Sequence, residues 1–171
     1  MKIDVYCDEA YPDLLSSKKP QVRFMLLGSL WLQRDSRNEY KHAIHHLRDQ
    51  HLIGGEFKWR KVSPSKIKFY KSLISWFYDQ KESLRFRCIA IDYSQVNLMR
   101  FHDNDQELGF YKFYYQMLHH WIHDFNAKDP LLRLTQSPLD LENRILITLF
   151  LSLLSKKMIH FQQNAPRGLI G

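Results

Sequence analysis

The chain has 171 residues, of which 44% are hydrophobic and 14% aromatic, so it suits one globular domain with a buried core and is not a disordered polymer. Its formal net charge of +7 makes nucleic acid or another polyanion a natural partner. Its longest apolar run, residues 145–154, is interrupted by Thr148 and Ser152 and is too short to span a bilayer. With two cysteines and a first strand directly after Met1, we expect a cytoplasmic protein without a signal peptide or a membrane partner.

The first predicted element is a strand that ends in two acids. Residues 2–7 alternate between polar and apolar side chains, which is the period of a half-buried strand. Asp8 and Glu9 follow where this strand is expected to end. A carboxylate there is held rigidly and still reaches solvent, as a metal ligand or catalytic acid must. The alternative is that the two acids only cap and solvate a turn.

Periodicity predicts five further elements before residue 126. They are a strand over residues 22–32, helices over 38–51 and 63–80, a strand over 84–93 and a helix over 107–125. The first of these strands is apolar on both faces and should be central in its sheet. Ser63-Pro64 is typical of a helix start, and Tyr111 belongs to the predicted buried stripe of the last helix.

The composition changes after Asn126, where aromatic residues become rare. Only a short, poorly formed strand is expected at residues 131–134, followed by a helix at 139–157 that is apolar on nearly every face. We therefore predict an α/β core over residues 1–126, with residues 127–171 as a divergent helix and tail of the same domain. The apolar helix offers a surface to a second copy or another protein.

The acids Asp8, Glu56 and Asp92 are the first candidate site. If the strands that end at Asp8 and Asp92 are parallel neighbours, both acids emerge at one sheet edge, and Glu56 follows a glycine pair that could place it there. Clustered oxygen ligands suit Mg²⁺ or Mn²⁺, and two such ions can promote phosphodiester hydrolysis. Glu9 is an additional candidate ligand. The alternative is three unrelated surface acids.

Two other groups of residues have side chains that could carry chemistry. Lys58, Arg60 and Lys61 surround an aromatic residue and could follow a phosphate backbone, although a solvated surface explains them equally well. His119 and His123 have the spacing of a metal-binding pair, but without a nearby cysteine or a following glutamate they are better explained as polar-face histidines. The chain has no phosphate-binding glycine loop, dinucleotide fingerprint or Gly-x-Ser-x-Gly elbow.

Three of these segments resemble the domain-of-unknown-function 3800 family. Tyr6-Cys7-Asp8-Glu9-Ala10 is similar to that family's Tyr-x-Asp-Glu-Ser-Gly strand end, although Ala10-Tyr11 stands where the family has Ser-Gly. Glu56-Phe57-Lys58-Trp59 is similar to its Glu-hydrophobic-Lys signature, and Ile89-Ala90-Ile91-Asp92 to a later strand end. The resemblance covers residues 1–126. It implies a ribonuclease H-like mixed sheet with flanking helices.

The resemblance also implies a function. Asp8, Glu56 and Asp92 would hold the metal, and Lys58 would contact phosphate, in a divalent-metal-dependent nuclease or phosphodiesterase. The family should continue after Asn126 with another acid-bearing strand, so the C-terminal part is atypical or truncated, and a disrupted reading frame is one hypothesis for this. The alternative function is a non-catalytic module that binds nucleic acid or protein through a degenerate site.

Overall fold

The computed structural model describes residues 2–12, 22–54, 62–97, 105–122 and 131–134, together with helical residues 147, 149–151, 154 and 155. It is a mixed α/β structure, as the sequence predicts. Its strands and helices are β1 (Lys2–Ala10), β2 (Phe24–Gln33), α1 (Arg37–Gln50), α2 (Ile67–Asp79), β3 (Leu84–Asp92), α3 (Gln106–Ile122) and β4 (Leu131–Leu134). No helix in this described part of the chain is long and apolar enough to cross a membrane.

The four strands form one sheet in the order β3-β2-β1-β4. Three strands are antiparallel, and β4 is parallel to β1, with Lys2 opposite Leu131 and Val5 opposite Leu134. The segment at residues 131–134 therefore does form a strand. The expectation that the strands of Asp8 and Asp92 are neighbours is wrong, because β2 pairs with both of them and lies between them.

Burial along the strands follows their positions in the sheet. In β2 the residues from Met25 to Leu32 are all buried, which confirms the prediction of a central strand. In β1 the residues from Ile3 to Tyr6 are also buried on both faces, so the prediction of a half-buried strand is wrong. The polar and apolar alternation misleads here because Asp4, the acid on the expected solvent face, pairs with an arginine described below and can therefore be buried in an inner strand of the sheet.

Contacts between Cα atoms divide the chain into two compact units. The first unit comprises Met1–Asp8, Ser29–Arg87 and Ala127–Phe150, and the second comprises Glu9–Gly28, Cys88–Asn126 and Leu151–Gly171. In the described part of the second unit, the buried apolar side chains are Met25, Leu26, Leu27, Ile91, Met117 and Leu151.

Helices α1 and α2 pack against each other in the first unit. The rings of Tyr40 and Trp76 meet edge to face at 5.9 Å, and those of His51 and Phe69 at 6.0 Å, so the two helices run antiparallel. Helix α2 begins at Ile67 and not at Ser63-Pro64, because the Ser63 carbonyl accepts a hydrogen bond from the Lys66 amide and closes a turn before the helix.

The C-terminal segment contributes to the core of the first unit. The Phe150 ring lies 4.5 Å from the Phe77 ring of α2 and 4.9 Å from the Phe86 ring of β3, between ring centroids. Ile147 and Leu149 are fully buried. These three side chains are packed within the chain and are not available to a partner.

Helix α3 differs from its prediction in the face that it buries. Gly109 and Met117 are buried, whereas Tyr111, which the sequence predicts in the buried stripe, is 53% exposed. Aromatic side chains occur at many positions of this helix, so the apolar period does not define a single face.

Candidate functional site

A cleft with a volume of about 1000 Å³ lies in the second unit, at the carboxyl end of β3. One wall is formed by residues 89–92 and 95–97, which are the end of β3 and the turn after it. The α3 wall of the cleft is formed by Lys112, Phe113, Tyr115, Gln116, His119 and His120. Two residues singled out from the sequence, Asp92 and His119, therefore border the same cavity.

Asp92 is fixed by the turn that follows it. It is the last residue of β3, and its Oδ1 accepts hydrogen bonds from the Ser94 amide at 3.0 Å and the Ser94 hydroxyl at 2.7 Å. Such a local bond is typical of aspartate, whose short side chain reaches the backbone two residues on. It caps the short 3₁₀ helix Tyr93–Gln95 and holds the carboxylate at the end of the strand.

Arg23 forms an ion pair with Asp92. Its Nε donates to Asp92 Oδ1 at 2.9 Å and to Oδ2 at 2.8 Å, and its Nη2 also donates to Oδ2. The Tyr93 amide donates a hydrogen bond to the Arg23 carbonyl at 2.9 Å, so Arg23 is connected to the end of β3 through its backbone as well as its side chain. The hydrogen bond from Arg23, with those from Ser94, lowers the pKa of Asp92, and the same pairing raises the pKa of Arg23.

This arrangement does not fit a metal ligand. A carboxylate has about four lone-pair sites. Arg23 and Ser94 supply a donor to each of these sites on Asp92, and the guanidinium already supplies the positive charge. Among the residues that the structure describes, no group of three or more His, Cys, Asp or Glu side chains could hold a metal ion. A divalent ion at Asp92 would first have to displace Arg23.

The other predicted site residues have different surroundings. Asp8 lies inside β1, two residues before its end, and is half-buried, whereas Glu9 is exposed. Glu56, Lys58, Arg60, Lys61 and His123 lie outside the described residues. The convergence of Asp8, Glu56 and Asp92 on one cation therefore stays a prediction.

The turn after β1 has an unusual backbone. Tyr11 has a φ angle of 62°, in the left-handed region that glycine adopts most easily. Tyr11 stands where the resembled family has glycine. The local conformation is thus the one that a glycine would take, although the residue is not glycine.

Asp4 is a buried acid that the sequence pattern does not reveal. It is 2% exposed, and its Oδ1 accepts a hydrogen bond from Arg34 Nε at 2.9 Å, with Arg34 Nη2 at 2.8 Å. The alternation in β1 suggested a solvated face for Asp4. The missing information is its partner, which lies 30 residues away at the end of β2.

The chain matches no protein-family model, no curated protein and no solved structure.

Proposed function

We propose that the protein is a ribonuclease H-like protein that binds nucleic acid in the cleft beside Asp92. The observation that carries this function is the α3 wall of the cleft, where Lys112, His119 and His120 accompany the exposed ring of Tyr115. Cationic and imidazole groups suit phosphates, and aromatic rings suit bases, which together are the usual elements of a single-strand binding groove. The net charge of +7 favours the same class of partner.

Two structural features support the relationship to the domain-of-unknown-function 3800 family. The first is β4, a strand that follows residue 126 and joins a mixed sheet, where the family is expected to have another strand. The second is the left-handed backbone of Tyr11 at the position of the family's glycine. Both features are consistent with a retained ribonuclease H-like core whose sequence has diverged.

Metal-dependent phosphodiester hydrolysis is the catalytic form of this function. Asp8 and Glu56, with Glu9, are the proposed ligands of Mg²⁺ or Mn²⁺, and Asp92 would join them only if the ion displaced Arg23 from its carboxylate. A metal held there would supply activation of water and stabilisation of the leaving oxygen. Lys58, Arg60 and Lys61 are the proposed phosphate contacts on the substrate.

The non-catalytic form is favoured by one specific observation. Arg23 saturates the carboxylate of Asp92, so the residue is arranged as a structural ion pair in the cleft wall. A protein that had lost its metal site would keep such a cleft for binding. The second candidate function is therefore a nucleic-acid-binding module without hydrolysis.

A nuclease assay separates the two forms. The full chain is incubated with single-stranded and double-stranded DNA and RNA, in Mg²⁺, in Mn²⁺ and with chelator. The catalytic form gives cleavage that requires metal and is abolished by Asp8→Ala, whereas Asp49→Ala, an exposed acid on α1, has no effect. Cleavage that persists in chelator and in Asp8→Ala excludes this mechanism. Salt-sensitive binding without cleavage, unchanged by Asp8→Ala, identifies the non-catalytic module.

A further inference from the structure

Helix α3 carries two parallel rows of side chains on its exposed surface. Residues four apart lie on the same face of a helix. One row is Tyr111, Tyr115 and His119, and the row beside it is Lys112, Gln116 and His120, all of them exposed. We call the first the aromatic row and the second the polar row.

The aromatic row is unusual because large rings are ordinarily buried. Tyr111 is 53% exposed and Tyr115 is 64% exposed. The Tyr115 and His119 rings are stacked, with centroids 5.4 Å apart and an interplanar angle of 30°. Exposed apolar surface that forms a continuous line indicates a binding surface more often than a single exposed residue does.

The spacing of the aromatic row selects among nucleic acids. Four residues of α-helix rise about 6 Å, whereas bases in a duplex are stacked about 3.4 Å apart. Because the Tyr115 and His119 rings are stacked on each other, each can accept a base only on its outer face, and neighbouring bases reach these faces only if they are unstacked from each other. A duplex keeps its bases stacked and paired, so it cannot use the row.

The polar row complements a phosphate backbone. From Tyr111 to Ile122 the helix contains no Asp or Glu, so no carboxylate of this segment repels phosphate beside Lys112 and His120. Tyr115, His119 and the whole polar row also line the cleft. A strand that follows α3 would therefore continue into the cavity beside Asp92.

We infer that the exposed face of α3 is a stacking platform for single-stranded nucleic acid, with bases on the aromatic row and phosphates along the polar row. This assignment rests on the proposed nucleic-acid binding and specifies its substrate class and the residues that recognise it. It does not depend on whether the protein cleaves the strand.

Fluorescence anisotropy of labelled oligonucleotides tests the platform. The full chain is titrated, in chelator, into oligothymidine, oligouridine and a duplex of equal length. Each stacked base contributes enough binding free energy that the double variant Tyr111→Ala/Tyr115→Ala should bind the single strands at least about tenfold more weakly. Lys112→Ala should weaken binding. It should also make the slope of log affinity against log salt concentration shallower by the amount expected for about one lost phosphate contact.

Two controls isolate the role of the rings. Tyr78→Ala removes a tyrosine that is 71% exposed on α2 and should leave binding unchanged. Tyr111→Phe/Tyr115→Phe keeps both rings and should retain wild-type affinity, which separates stacking from loss of structure. Circular dichroism and thermal melting verify that each variant is folded.

Specific outcomes overturn the platform. The first is wild-type affinity for single strands in the double alanine variant. The second is an equal loss of duplex and single-strand binding in that variant. The third is self-association of the wild type that the double alanine variant abolishes, because the exposed face of α3 would then bind a second copy of the chain. If the nuclease assay shows metal-dependent cleavage and the tyrosine variants bind and cleave as the wild type does, the platform is overturned and the proposed function stands. Tyrosine-dependent binding without cleavage refutes only the catalytic form, and absence of any nucleic-acid binding refutes both.

Discussion

Arg23 and Asp92 are 69 residues apart in the chain, yet the guanidinium Nε of one donates to both carboxylate oxygens of the other. Because Arg23 directly precedes β2 and Asp92 ends β3, the pair fixes the start of one strand to the end of another. The Tyr93 amide, bonded to the Arg23 carbonyl, adds a second connection at the same place. Of these three residues, Asp92 lines the cleft.

A double-mutant cycle should detect this ion pair. Arg23→Gln and Asp92→Asn are each expected to lower the free energy of unfolding, and the double variant should lose less than the sum, because both single changes remove the same interaction. The cycle Arg85→Gln and Glu82→Gln is the control, since Glu82 is 81% exposed and its pairing is screened by water. Equal coupling in both cycles would contradict a special role for Arg23.

The pair should also make stability depend on pH in the acid range. The folded pKa of Asp92 lies below its unfolded value of about 3.9. The contribution of Asp92 to the free energy of unfolding is therefore present above pH about 4 and is lost as the pH falls through the folded pKa. Denaturant unfolding between about pH 6 and about pH 2 should show the wild type losing stability more steeply than Asp92→Asn. Parallel curves for the two proteins would rule out this linkage.

Replacing Tyr11 with glycine should stabilise the protein. The left-handed backbone costs a non-glycine residue about 1–2 kcal/mol, and the greater freedom of glycine in the unfolded chain offsets part of the gain. We expect Tyr11→Gly to raise the free energy of unfolding by about 0.5–1 kcal/mol, measured by denaturant titration. Tyr11→Ala removes the same ring but keeps the strain, so the glycine variant must be more stable than the alanine variant.

Truncating Phe150 should destabilise the first unit. Its ring packs between those of Phe77 and Phe86, and Phe150→Ala leaves a cavity there, at a cost of about 3 kcal/mol in the free energy of unfolding. Phe150→Leu should cost less than half as much because it fills most of the space. Tyr78→Ala, on the same helix as Phe77 but 71% exposed, should change stability by less than about 0.5 kcal/mol.

A protein ending at Asn126 extends the test of the C-terminal segment. It lacks both β4 and Phe150, so we expect it to be unfolded by circular dichroism. A well-folded shortened protein would show that the first unit does not need these contacts.

Cys88 should resist alkylation in the folded protein. Burial raises the pKa of its thiol to about 12. At pH about 8 the thiolate fraction is then about three orders of magnitude below that of an unfolded cysteine, whose pKa is about 8.5. In a Cys7→Ser variant, iodoacetamide labelling followed by mass spectrometry should be slow in buffer and fast in denaturant. Rapid labelling in buffer would contradict the burial of this thiol.

Local sequence patterns predicted the existence of the elements well, because apolar period and turn residues are local properties. Strand order is not local: nothing in residues 2–10 or 84–92 shows that β2 lies between them. Asp4 illustrates the same limit, since its burial depends on Arg34, a partner that lies directly after another strand. The order of a sheet and the pairing of its charges are determined by contacts between distant segments.

The residues of the candidate site were predictable from the sequence where their signal is local, and not where it depends on a distant partner. Asp92 was identified because an acid at a strand end is a recognisable pattern, and it does border the cleft. Arg23 was missed because a single arginine before a strand carries no signal of its partner. Tyr111 was assigned to the wrong face of α3, since aromatic residues at many positions make the helical period ambiguous. The exposed tyrosines became informative only when their neighbours were known.

The parallel pairing of β1 with β4 has a consequence for biosynthesis. Residues 2–5 leave the ribosome about 130 residues ahead of their partners at 131–134, which at about 5–20 residues per second is a delay of roughly 6–26 s. During that interval the outer edge of the N-terminal strand has no β4 to cover it, and an open strand edge is a template for aggregation. Nascent chains stalled before residue 131 should therefore recruit chaperones more strongly than chains that already include β4.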